Sequence, residues 1–146
     1  MVTVTRVVEA EPRQVWEVLA DGWLYPLWVV GASRMREVDD GWPGHGARLH
    51  HSIGTWPLLV DDTTSVSLCE QGRRLVLRAR AWPGGEAEVD IALSPEEGGT
   101  RITMTEEAVS GPGALIPSPV LDPLITWRNT ESLRRLAFVV ENRQQS

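Results

Sequence analysis

The stretch PVLDPLITWRNTESLRRLAFVVE, residues 119–141, decides the fold. Within it, side chains suited to a buried face recur at spacings of three and four residues, which is typical of an amphipathic α-helix. The residues of this face are Thr126, Asn129, Leu133, Leu136, Ala137 and Val140. The pattern predicts one long helix at the end of the chain, with this face packed against a sheet.

The chain before this helix consists mainly of short alternating runs that predict β-strands. A first strand at residues 3–8 precedes a helix that begins at Pro12 and a second short helical turn within residues 23–28. Six more strands are predicted at residues 34–39, 47–53, 59–68, 73–82, 86–93 and 100–109. We therefore expect one α+β domain over residues 1–146, with a curved antiparallel sheet of about seven strands wrapped on the C-terminal helix. Such a sheet encloses a cavity.

Composition narrows the classes of partner. The net charge of −6 argues against nucleic acid, because nucleic-acid-binding domains usually carry a basic surface. All fourteen cationic side chains are Arg, which excludes a lysine nucleophile or Schiff base. The lone Cys69 precludes an internal disulfide and favours a reducing cytoplasm. We expect a cytoplasmic protein without a leader or membrane span, as a monomer or homodimer.

The hairpin around residues 82–86 allows a strand register to be predicted. If Trp82 pairs with Glu86 across a three-residue loop, Arg80 lies opposite Glu88. The same register sets Arg78 opposite Asp90. We expect one solvated face of ion pairs and one apolar face, as in a sheet with a single buried side.

The last predicted strand places a carboxylate on its buried side. Alternation from Ile102 through Met104 brings Glu106 to the same face as these apolar residues. Alternatively, a bend or bulge near Glu106 and Glu107 lets both acids reach water. The first interpretation predicts an interior carboxylate.

Two adjacent histidines lie on one predicted strand and must point to opposite faces, so they cannot chelate one metal together. His51 shares its side with Leu49 and Ile53 and is the better interior candidate. With Glu106 nearby, His51 would supply the components of a general acid/base pair. The alternative is a core histidine with satisfied hydrogen bonds. No phosphate loop or metal-spaced cluster stands out, so we expect neither cofactor nor metal.

The aromatic residues are mostly tryptophan, with seven Trp against one Tyr and one Phe. Trp28, Trp56 and Trp127 are candidates for stacking on a flat ligand, although Trp side chains also plug barrel ends. Asn129 lies in the apolar stripe of the last helix, where its amide either anchors the helix or orients a ligand. Met104 and Leu133 are further candidate ligand contacts.

Five stretches resemble a known superfamily. They are VWEVL at 15–19, WV at 28–29, LHHSIGTWP at 49–57, GTR at 99–101 and RNTESLRRL at 128–136. Together with the element order, they resemble the SRPBCC superfamily, which has the helix-grip fold of START lipid-binding domains and polyketide cyclases. The resemblance is to bacterial members described as polyketide cyclase/dehydrase-like. It implies an internal cavity but no common catalytic motif.

These observations favour a protein that binds a hydrophobic, aromatic or polyketide-like small molecule between the sheet and the last helix. The alternative is a cyclase or dehydratase-type enzyme in which His51, Glu106 or both move a proton. A third possibility is an interaction domain whose interior is filled by Trp side chains.

Overall fold

The computed structural model describes residues 1–53, 60–80, 85–111, 115 and 117–143. It confirms the predicted α+β architecture, with strand and helix ends within a few residues of those expected. The strands are β1 (Val2–Val8), β2 (Ala32–Val38), β3 (Arg48–Ile53), β4 (Val60–Glu70), β5 (Arg74–Arg80), β6 (Glu86–Glu96) and β7 (Gly99–Ser110). The helices are α1 (Pro12–Leu19), α2 (Tyr25–Trp28) and α3 (Ser118–Arg143), with a 3₁₀ turn at Gly22–Leu24 before α2.

The strands form one seven-stranded antiparallel sheet in the order β1-β7-β6-β5-β4-β3-β2. The first strand pairs with the last and forms one edge of the sheet. Helix α3 packs on β1 and β7 and also contacts α1 and α2. The sheet, the two short helices and α3 therefore surround a common core, as the helix-grip fold requires.

Helix α1 begins as its sequence indicates. Pro12 occupies the first turn, and Glu11 and Gln14 form a reciprocal capping box. The backbone N–H of Glu11 donates to Oε1 of Gln14 at 2.8 Å. The helix buries Trp16 in the core, as the sequence predicted.

The hairpin between β5 and β6 differs from the predicted register by two residues. Arg80 pairs with Glu86 and Arg78 with Glu88, because the connection is longer than three residues. A shift of two keeps every side chain on its predicted face, so the ion-pair face is retained. Asp90 instead binds Arg74, with an N–O distance of 2.6 Å. Residues 81 and 82, the last two of the strand predicted at residues 73–82, lie outside the described residues.

The buried face of α3 is slightly rotated from the predicted one. Thr126 is exposed, because the helix turns Ile125 toward the sheet in its place. The buried residues of α3 are Leu121, Ile125, Asn129, Ser132, Leu133, Leu136, Ala137 and Val140. Neither α3 nor any other helix of the described ranges is long and apolar enough to cross a membrane.

The start of β7 leaves no room for a side chain. A Cβ at Gly99 would collide with the backbone carbonyl of Val8, where β1 ends beside β7. We expect Gly99→Ala to lower the free energy of unfolding by about 1–3 kcal/mol, because β1 would have to shift. Gly41→Ala is the matched control, since a Cβ there meets nothing within 4 Å. Urea unfolding of both variants checks this, and equal losses would contradict it.

Candidate functional site

The inner face of the sheet is apolar. Alternate residues of the central strands turn toward the helices and are buried, among them Leu49, Val66, Leu75, Leu77, Ile91, Leu93, Ile102 and Met104. Polar side chains interrupt this surface at a few points. Two hydrogen-bonded groups of such side chains, one around His51 and one around Glu106, face the core.

The first group is a chain of three side chains from α2, β4 and β3. His51 pairs with Asp62 across the β3–β4 ladder, which places Thr64 diagonally opposite on the inner face. Nε2 of His51 lies 2.8 Å from Oγ1 of Thr64. The hydroxyl of Tyr25 lies 3.5 Å from the same Oγ1. The three groups therefore form a buried hydrogen-bonded chain.

His51 is held neutral by this environment. Its side chain is buried, with 4% of the residue exposed. Burial lowers the pKa of the imidazole, and the charges of Arg36 and His50 lower it further, whereas Asp62 opposes them. Its Nδ1 is buried and has no hydrogen-bond partner among the described residues. Such an unsatisfied group costs about 1–3 kcal/mol and is uncommon in folded proteins.

His50 points to the opposite face, as the strand geometry predicted. Its Nε2 lies 3.0 Å from Oδ1 of Asp39 on the outer side of the sheet. The hydrogen bond to His50 is the main reason why the pKa of Asp39 is lowered. The two histidines therefore do not share a ligand. Within the described ranges, no group of three or more His, Cys, Asp or Glu side chains is placed to hold a metal ion.

The second group is centred on Glu106, which lies inside as alternation predicted, with 4% of the residue exposed. Its Oε2 accepts a hydrogen bond from Arg128 and its Oε1 one from Nδ2 of Asn129, the latter at 3.2 Å. The alternative of a bulge at this point is wrong. Glu106 keeps regular pairing with Val2 and Val89, and the irregularity in β7 lies nearer its end. The carboxylate thus ties α3 to the sheet.

The structure does not bring His51 and Glu106 into a shared hydrogen bond. Each is bonded to other partners, and Tyr25 of the first group is also influenced by the charges of Glu106 and Arg128 in the second. Burial is the main cause that raises the pKa of Tyr25, and Glu106 adds to this while Thr64 and Arg128 oppose it. Within the described part of the chain, His51 and Glu106 therefore do not form the direct contact that an acid/base pair would need.

The tryptophan candidates have different surroundings. Trp28 is buried, and its ring meets Tyr25 edge-on with centroids 5.5 Å apart. Trp127 lies on the outer side of α3 with 65% of the residue exposed, so it does not line the interior. It borders a surface depression with Pro119 and Pro123. Trp56 lies outside the described residues.

Met104 and Leu133 are both buried in the core cluster. Sequence reasoning missed Tyr25 and Thr64 as members of the site. The only tyrosine of the chain, within an apolar helical turn, was a usable signal for the first. Thr64 shares its alternation with the buried Val66, which was the signal for the second.

His51 should make the protein less stable in mild acid. Because burial lowers its folded-state pKa from 6.5, the unfolded chain binds more protons below that pH. Stability is therefore full above about pH 6.5 and falls as the pH drops below it. We expect His51→Gln, which does not titrate, to show a smaller loss of stability between about pH 7.5 and 5. Urea unfolding at both values checks this, and an unchanged loss in the variant would contradict it.

Solved structures resemble this chain along its length. A protein from Rhodobacter sphaeroides is 26% identical, with a TM-score of 0.74 over 96% of this chain and 91% of its own. The di-domain ARO/CYC StfQ from the steffimycin biosynthetic pathway is 12% identical, with a TM-score of 0.76 over 99% of this chain and 51% of its own. DynU16, from the dynemicin biosynthetic locus, is 21% identical, with a TM-score of 0.67 over 96% of this chain and 46% of its own. The last two likenesses show the fold alone.

A comparison with curated proteins finds no match. The family model described as polyketide cyclase / dehydrase and lipid transport matches residues 1–141, which is nearly the whole chain. The seven-stranded sheet and the long C-terminal helix agree with the helix-grip fold that the sequence resembles. The chain therefore belongs to the polyketide cyclase / dehydrase and lipid-transport family of the SRPBCC superfamily.

Proposed function

We propose that this protein binds a hydrophobic, aromatic or polyketide-like small molecule between the inner face of the sheet and α3. The observation that carries the proposal is the buried aromatic cluster of Trp28, Tyr25 and His51 beside an apolar sheet face. Membership of a family that includes lipid transport supports the same conclusion.

Binding would draw on two kinds of contact. Removal of apolar ligand surface from water would supply most of the affinity, at about 25 cal/mol per Å². Met104 and Leu133 would belong to this apolar lining, and Trp28 would stack on the ligand. Asn129 already donates to Glu106, so its proposed role is to hold the site together, with ligand contact a second role for its remaining N–H.

The geometry favours binding over acid/base chemistry at Glu106. That carboxylate already accepts hydrogen bonds on both of its oxygens, from Arg128 and from Asn129, which hold it in place. A general acid or base must instead reach the ligand with one of its oxygens. Glu106 is therefore proposed as an anchor of α3.

A second candidate function rests on His51. A neutral imidazole can accept a proton, and Nδ1 of His51 has no partner among the described residues. A cyclase or dehydratase-type enzyme with His51 as the base is therefore the alternative. His51→Ala should abolish turnover in such an enzyme but change affinity only modestly in a carrier.

We also propose the cytoplasm as the location and no nucleic-acid partner. The net charge of −6 opposes binding to a phosphate backbone, and Cys69 is a free thiol. The oligomeric state is proposed as monomer or homodimer.

Native mass spectrometry of the purified protein tests the proposed function, with the denatured sample as control. We expect a bound apolar small molecule, or a mass shift after exposure to a panel of flat aromatic compounds and lipids. Trp28→Leu should weaken this binding, whereas Trp127→Leu on the outer face of α3 should leave it unchanged. Failure of the wild-type protein to bind any member of the panel would contradict the proposal.

A further inference from the structure

We propose that the ligand carries a neutral hydrogen-bonding oxygen, a phenolic hydroxyl or an aryl ketone, which pairs with Nδ1 of His51. This inference rests on the proposed function and specifies the chemistry of the ligand at one point. It starts from the one buried side-chain nitrogen that lacks a hydrogen-bond partner within the described ranges. Folded proteins rarely leave such a group unsatisfied, and a functional partner is one of the standard explanations.

The fixed bond on the other ring nitrogen defines what Nδ1 can do. If the hydroxyl of Tyr25 donates to Thr64 and Thr64 donates to Nε2, the proton of the neutral imidazole lies on Nδ1, which then donates. If the hydrogen bonds between Tyr25, Thr64 and His51 run in the opposite direction, Nε2 donates to Thr64 and Nδ1 accepts a hydrogen bond. Rotation of the two hydroxyls, together with a change of imidazole tautomer that moves the ring proton between Nδ1 and Nε2, thus allows Nδ1 to bind either a carbonyl or a hydroxyl.

A charged ligand group fits this position poorly. The imidazole is neutral because burial opposes its charged form, so it offers a hydrogen bond but no opposite charge. Among the charges that act on it, Asp62 opposes Arg36 and His50. A buried carboxylate or amine needs an ionic partner, and Arg128 is already engaged by Glu106.

The aromatic side chains around His51 favour a ligand whose oxygen is attached to an aromatic ring. Tyr25 lies beside His51, with ring centroids 5.4 Å apart and planes tilted by 32°. Trp28 in turn contacts Tyr25 edge-on, with ring centroids 5.5 Å apart. Because Nδ1 has no exposed surface, a ligand reaches it only when neighbouring side chains move. A flat ring with an oxygen at its edge could present that oxygen to Nδ1 while its faces contact these aromatic side chains.

Two substitutions separate the two nitrogens of His51. The amide of Gln reaches the position of Nε2, so His51→Gln keeps a group that can bond Thr64 but removes Nδ1. The amide of Asn lies near the position of Nδ1, so His51→Asn keeps a polar group there but removes the bond to Thr64. Comparison of the two variants therefore distinguishes the loss of Nδ1 from the loss of the hydrogen bond to Thr64.

Isothermal titration calorimetry with three probes of similar size tests the proposal. The probes are 2-naphthol, 2-acetylnaphthalene and 2-methylnaphthalene, which differ in the group at the ring edge. We expect the wild-type protein to bind the two oxygenated probes about tenfold more tightly than 2-methylnaphthalene, as one buried hydrogen bond predicts. His51→Gln should abolish this preference, and His51→Asn should retain a part of it.

Equal affinities of the wild-type protein for the three probes would overturn the inference but leave the proposed function standing. An undiminished preference in His51→Gln would overturn it in the same way. If no probe binds, the inference fails, and the proposed function fails with it only if native mass spectrometry also finds no binding to the panel of flat aromatic compounds and lipids. Should the variants not fold, ¹⁵N NMR of the wild-type imidazole decides: 2-naphthol should shift the Nδ1 resonance and 2-methylnaphthalene should not, and equal responses would overturn the inference.

Discussion

Replacement of Arg128 by Leu should lower the free energy of unfolding by about 3 kcal/mol, near the lower end of the range for breaking a buried ion pair. Glu106 has 4% of its side chain exposed, so the substitution leaves a buried carboxylate with Asn129 as its remaining donor. Arg128 itself is 30% exposed, and water that enters from its side should reduce the loss somewhat. Urea unfolding followed by tryptophan fluorescence measures the effect.

The double variant Arg128→Leu/Glu106→Leu is the decisive control. It removes both charges together, so we expect it to recover most of the lost stability. Arg134→Leu on the same helix should have a much smaller effect, because Arg134 is exposed and pairs with Glu131 at the surface. If Arg128→Leu is no worse than Arg134→Leu, the buried anchor does not contribute as described.

The elements of this fold could be predicted because their periodicities are local. Two-residue alternation from Ile102 onward favoured an interior Glu106 but left a bulge as the alternative, and the structure shows the regular strand with Glu106 buried. The same reasoning separated His50 from His51. Each of these inferences depends only on neighbours within one strand.

The contacts of the site could not be predicted in the same way, because they depend on register between distant segments. Thr64 meets His51 only through the β3–β4 pairing, and Tyr25 reaches them from a helix near the start of the chain. The β5–β6 register was wrong because loop length decides it, and a different loop shifts every pair. Trp127 was a candidate for stacking because of its residue type and not its place on the helix, and it lies on the exposed side of α3.

Leu133→Ala should lower the free energy of unfolding by about 2–5 kcal/mol, as expected when a buried leucine is truncated in a packed core. Leu133 is 1% exposed and lies on the face of α3 that meets the core cluster. The loss combines the transfer free energy of the removed methyl groups with the cost of the cavity that remains. Thermal and urea unfolding of the variant measure it.

Phe138→Ala is the matched control, because Phe138 lies on the same helix but is 64% exposed. We expect its stability to stay within about 0.5 kcal/mol of the wild-type value, as for most surface substitutions. Phenylalanine is the larger side chain, so a loss that followed size alone would be greater for Phe138. A greater loss for Leu133 would therefore show that the orientation of α3 decides the effect, whereas similar losses would mean that its buried face is assigned incorrectly.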